Sequence, residues 1–170
     1  MRGHYKYAGR LVRVALVLAA VLVTGVKPAT AAPSCNRAAA KTAIFANSHL
    51  RSIWPTLRSG GGVDRLICHD LTRDGQADMT ATIYSGGTAG DTAWVVFRRV
   101  GTRWQLGLAH LSAYKVGLFL KGSDLIESQP VYKTNDPNCC PTGGFDHRRF
   151  HWNGSRFILA RKWHDAHARR

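Results

Sequence analysis

The spacing of apolar residues takes three forms along the chain. Residues 14–26 are almost unbroken apolar positions behind a basic start carrying Arg2, Lys6, Arg10 and Arg13. Over residues 36–57, Ala43, Ala46, Leu50, Ile53 and Trp54 recur near helical spacing. Asn36 is placed to cap them and Ala38 to Ala40 favour helix, so the pattern predicts one long helix over 36–57. Pro55 ends or kinks it. After the loop at 59–62 the period becomes two. Eight strands are predicted, at 65–70, 77–84, 92–100, 103–111, 116–121, 124–133, 147–153 and 155–162. Turn residues separate them: Asp74-Gly75, the stretch 86–91, Gly101-Thr102, Gly122-Ser123, the loop 136–144, and Asn153-Gly154 as a two-residue hairpin turn. Trp104, Leu106 and Leu108 are expected on one strand face, and Phe150 and Trp152 opposite Arg149 and His151. A helix followed by closely linked strands implies an α+β fold, with one N-terminal helix packed on a mainly antiparallel β-meander sheet of seven or eight strands.

The first apolar run is about thirteen residues long, short of the roughly 20 that a spanning helix needs. With basic residues before it and Ala29-Thr30-Ala31 after it, the run reads as a secretory leader cut after Ala31. Lipidation at Cys35 is the alternative, but Pro33-Ser34 lacks the aliphatic and small residues expected before a lipidated cysteine. The expected organisation is a signal peptide over 1–31, one secreted domain over 32–162, and a frayed basic tail over 163–170.

Charge then narrows the partners. The leader holds five of the 24 Lys and Arg residues and none of the ten acids, so residues 32–170 carry nineteen basic against ten acidic side chains, a net +9. That excess suits anionic cell-wall or envelope polymers, and a plain solvated basic surface is the alternative. The aromatic residues alternate into the predicted core, so no specific nucleic-acid partner is expected, and the processed chain is expected to be a monomer without a transmembrane span. Cys35, Cys68, Cys139 and Cys140 all follow the leader, and in an oxidising compartment they read as two disulfides. Of the three pairings, the one joining Cys139 to Cys140 forces a strained peptide, so each neighbour is expected to bond a distant cysteine. A zinc site from all four is disfavoured by the tandem pair and the lack of any CxxC spacing.

The stretch Asp70-Leu-Thr-Arg-Asp74-Gly75-Gln-Ala-Asp78 carries the sharpest chemistry. Asp70, Thr72 and Asp74 supply side-chain oxygens at positions one, three and five of a cation loop. Gly75 permits the turn, Gln76 offers a backbone carbonyl, and Asp78 closes the site. Three carboxylates without a closing Glu predict a calcium Kd of roughly 10⁻⁴–10⁻³ M. The competing reading is a turn capped by its own aspartates, with Arg65 and Arg73 compensating the charge. Enzymatic signals are thin. The glycine-rich stretch 86–91 lacks the Lys-Ser/Thr of a phosphate loop, and His69-Asp70 reads as a strand end more than a metal dyad. His147, His151, His164 and His167 read as solvated, and Ser112 lacks a nucleophile's setting. No catalytic residue is named. The alternative to a binding module is a small secreted basic hydrolase acting on an anionic polymer, using Glu127, the only glutamate, with a histidine.

The aspartate loop resembles the calcium loop of FG-GAP/VCBS-type repeats, which carry aspartates at the same relative positions around one glycine. Here a single copy stands in the 139 residues after the leader, so no propeller is implied. Tyr132 with Asp136-Pro-Asn-Cys139-Cys140-Pro-Thr-Gly-Gly144, and the closing Phe150-His-Trp152-Asn-Gly154, resemble the LppP/LprE-type envelope lipoproteins of actinobacteria over roughly residues 68–159. The chain departs from them in lacking a lipobox. The resemblance implies an exported, cell-envelope accessory protein and names no chemistry.

Overall fold

The computed structural model describes residues 32–166, so the expected leader and His167 of the tail lie outside the described residues. Its order is α1 (Arg37–Phe45), a 3-10 turn (Ser48–Ile53), α2 (Trp54–Arg58) and eight strands: β1 (Gly62–His69), β2 (Asp78–Tyr84), β3 (Asp91–Val100), β4 (Arg103–His110), β5 (Gly117–Lys121), β6 (Asp124–Pro130), β7 (Phe145–Trp152) and β8 (Phe157–Asp165). All the predicted strands are present. They form two antiparallel four-stranded sheets, β1-β2-β3-β4 and β5-β6-β7-β8, rather than one. Among the described residues no helix is long and apolar enough to cross a membrane.

The single long helix is not formed. Asn36 does cap α1, its side chain accepting from the Ala39 N–H at 2.8 Å. Asn47 then accepts from the His49 N–H at 3.0 Å, which starts a new turn where the first helix would have continued. Pro55 sits in the first turn of α2, where its missing N–H costs nothing, so it opens a helix instead of ending one.

The layers follow from alternation. Ala40, Ile44, Leu50, Ile53 and Leu57 from the helical segment meet Met79, Ala81, Ile83, Ala93, Val95 and Phe97 on one face of the first sheet. Trp94 and Val96 on its other face meet Leu118, Leu125 and Phe157, with Phe150 and Trp152 alongside. The central strands β2 and β3 are therefore covered on both faces, and β2 is buried at every position before Tyr84. A bulge in the pairing of β3 with β4 inserts Gly107 between Leu106 and Leu108. Trp104 and Leu106 pack toward the helices, and Leu108 turns to the second core, so the three do not share one face. The β7–β8 loop also departs from its two-residue expectation. Trp152 pairs with Phe157, and the Asn153 side chain accepts the N–H groups of Ser155 and Arg156.

Cys35, just before α1, bonds Cys68 at the end of β1 with Cα atoms 6.1 Å apart, and Cys139 bonds its neighbour Cys140. This overturns the expected pairing. The helical segment places Cys35 beside β1, whereas the Cys139 loop is held against the second half of the chain, with Asn138 taking hydrogen bonds from Tyr114, Lys115 and Tyr132.

Candidate functional site

Three clusters compete for the role. In the aspartate loop, Asp70 accepts from the N–H groups of Asp74 at 3.1 Å and Gly75 at 2.8 Å, so the loop winds round its first carboxylate. Asp74 accepts from the Gln76 N–H at 2.9 Å. Arg73 (φ +60°) and Gly75 (φ +82°) take the left-handed backbone that makes the turn. Asp78 is fully buried and turns inward, accepting from the N–H groups of Leu71, Thr72 and Arg99. Burial pushes its carboxyl up, against the downward pull of those amides. Thr72 is buried, and Gln76 is half-buried in the loop. Among the described residues no group of three His, Cys, Asp or Glu side chains is drawn together to hold a metal.

The second cluster is Glu127, 1% exposed at the join of the two sheets. Trp94 Nε1 donates to one carboxylate oxygen at 2.8 Å, and His110 Nδ1 lies 2.9 Å from the same atom. Gln129 and Arg148 face the other oxygen. Trp94 and His110 belong to the first sheet, the rest to the second. The glutamate does meet a histidine, but it has a partner on every side and works as a clasp between layers.

The third cluster lies on the face of the second sheet turned away from the first. Leu118, Leu120, Leu125 and Phe150 point into the inter-sheet core, so the residues between them point outward. The register aligns them in rows: Gly117, Ser128, His147 and Trp163; then Phe119, Ile126, Arg149 and Arg161; then Lys121 and Asp124. A cleft of about 420 Å³ opens over them, lined by Phe119, Ile126, His147, Arg149, Arg161 and Trp163 among others, within the size range of small-ligand sites.

Its parts are held firmly. Asp124, 1% exposed, accepts from the Arg149 guanidinium, and His151 Nδ1 lies 2.7 Å from its other oxygen. Loss of water pushes the Asp124 carboxyl up, but the hydrogen bonds from His151 and Arg149, with the charge of Arg149, outweigh this and hold it below the usual carboxylate range. His147, only 3% exposed, stacks on Trp163 at 4.8 Å and meets Phe119 edge-on at 6.3 Å. Its Nε2 lies 3.4 Å from Asp165, which also accepts from Trp163 Nε1 at 3.2 Å. Gly144 (φ +81°) lets β7 begin there, since a Cβ on it would lie 2.4 Å from the Asp165 carbonyl oxygen.

His147 is therefore buried and paired, where solvation was expected. The reason is that β8 runs on to Asp165, three residues past its expected end, and lays Trp163 over the ring. His151 and His164 are likewise paired, with Asp124 and Asp146. Phe119, Lys121, Arg161, Trp163 and Asp165 were not singled out from the sequence. The alternation of Phe119 with Lys121 and of Arg161 with Trp163 was the available signal. No known protein family, characterised protein or solved structure matches the chain.

Proposed function

We propose that this chain is a secreted, envelope-associated binding module that holds an anionic polymer on the outer face of its second sheet. The observation that carries the reading is the cleft. Lys121 and Arg161 line it and have no carboxylate at ion-pair distance among the described residues, while Asp124 and Asp165 are each engaged by neighbours. Such a face attracts negative charge. Export is supported by the basic-apolar-small order of the first 31 residues and by four cysteines that all pair. The test is co-sedimentation of the mature chain with insoluble envelope material. Retention that falls as salt rises, and is lost in the double variant Lys121→Glu/Arg161→Glu, supports the module. Equal retention of that variant overturns it.

The same reading gives the aspartate loop a structural calcium ion, held by Asp70, Thr72, Asp74 and the Gln76 carbonyl, with Asp78 as the anchor that closes the loop. The ligand spacing and the exposure of Asp74 support this. Calcium at 100 Kd should add about 2.7 kcal/mol of stability by mass action, and Asp74→Ala should remove the gain. Equal melting midpoints in millimolar calcium and in chelator make the loop a turn only.

A second reading, a hydrolase acting on an anionic polymer, draws on one observation, the 2.9 Å approach of His110 to Glu127. Polymer cleavage by the wild type that disappears in a folded Glu127→Gln variant supports it, and no cleavage by the wild type ends it.

A further inference from the structure

The outer face says more than that its partner is negative. Resting on the binding reading above, we infer that the cleft takes an acidic saccharide: a sugar ring packed against Phe119, with a carboxylate or phosphodiester on that sugar held by Arg149, Arg161 and Lys121. Arg149 is already placed. Asp124 engages its Nε and one terminal nitrogen, and a guanidinium has five N–H donors, so further donors remain for an anion while the side chain is fixed. Fixing it beforehand spares the ligand the cost of ordering a long side chain.

The apolar part of the face excludes a bare polyanion. Phe119 is 38% exposed beside Ile126, and an inorganic chain of charges would leave that surface unused. A neutral sugar would use Phe119 and leave Lys121 and Arg161 without counter-charge. A single-stranded nucleic acid is also a poor fit. Runs of bases need successive open rings along a basic groove, and here Trp163 is already stacked on His147, with the Arg161 guanidinium 5.6 Å from its centroid. Among the described residues, Phe119 is the one Phe, Tyr or Trp ring of the cleft that stands exposed. A sugar bearing its own anion satisfies both halves of the site.

Calorimetric titration of the mature chain tests this with a carboxylated probe (trigalacturonate), a glycosyl phosphodiester oligomer, neutral galactotriose, inorganic polyphosphate and oligo(dT). At least one acidic saccharide should bind, with galactotriose about tenfold weaker or worse. Arg161→Ala and Lys121→Ala should each weaken that binding about tenfold, the scale of one charged hydrogen bond. Phe119→Ala should weaken the saccharide similarly and leave polyphosphate unchanged, and Lys41→Ala, on α1, should change neither. Which of the two acidic probes binds tells carboxylate from phosphodiester. Polyphosphate or oligo(dT) binding as tightly as both saccharides, or a Phe119→Ala variant that binds saccharide normally, overturns the inference and leaves an anionic partner standing. No binding to any polyanion overturns both.

Discussion

Truncating Glu127 would leave Trp94, His110, Gln129 and Arg148 turned toward a buried space with no acceptor. Breaking a buried ionic network from one side costs about 3–5 kcal/mol. Glu127→Ala should therefore lower the urea midpoint by that equivalent. Glu127→Gln, which keeps one acceptor oxygen, should lose about 1–3 kcal/mol. Asp124 gives a pH signature instead. Its folded pKa lies below its unfolded one, so on acidification the unfolded chain takes up the proton first. The stability this pair contributes is complete above the ordinary carboxylate range, near pH 4, and is lost as pH falls through the depressed folded value. Asp124→Asn should flatten that part of the wild type's acid decline, measured as melting temperature between about pH 5 and pH 2. An unchanged slope would mean that the Arg149 and His151 contacts carry no net free energy. Asp78 and Asp91, both raised by burial, act with the opposite sign and favour the fold as they protonate.

Among the elements, the two disulfides differ in what they can do. The Cys35–Cys68 bond spans a sequence separation of 33, while Cys139–Cys140 spans one. By loop-closure entropy the first restricts the unfolded chain by roughly 3–4 kcal/mol, and the second restricts almost nothing. Differential scanning calorimetry of Cys35→Ser/Cys68→Ser should show a drop of that order, with little change for Cys139→Ser/Cys140→Ser. Most of the strands were legible in the sequence because turn residues, glycines above all, separate them and their apolar positions alternate. The strand β3 was legible instead as a short apolar run from Ala93 to Phe97 between Gly90 and Gly101. The break in the helix was written there too, at Asn47, but a side chain that caps its own backbone leaves no trace in apolar spacing. The candidate site was the least legible. Alternation placed Arg149 and His151 away from Phe150 and Trp152, yet nothing in one strand says that Phe119, Arg149 and Arg161 share a row. Register between strands creates that row. The burial of His147 depends likewise on Trp163, three strands' pairing away from Phe119.

At the scale of the whole molecule, one sheet serves as the buried middle layer and the other as the exposed face. The helices and the inner side of β5–β8 shut water from β2 and β3, which fixes the platform. The second sheet spends its inner face on that packing and keeps its outer face for polar and aromatic groups. Its basic excess is placed where the helices do not cover it, so binding strength should follow ionic strength while the fold itself does not. Melting temperatures between 50 mM and 500 mM salt should stay nearly constant, and retention on an anionic matrix should fall steeply. Parallel loss of both would tie the surface charge to folding instead of binding.

Every strand pairs with its neighbour in sequence, and neither sheet contains a crossover. Each meander therefore grows by local hairpins, with only the loop 131–144 between β6 and β7 a long one to close. The clasp at Glu127 is different, joining Trp94 to a residue 33 positions away. Assembly should then be two-tempo: hairpin amides acquire protection early, and the Trp94 indole hydrogen becomes protected only when the sheets dock. Pulse-labelled hydrogen exchange during refolding should show β3–β4 amides protected before that indole. Simultaneous protection would mean that the sheets form only against one another.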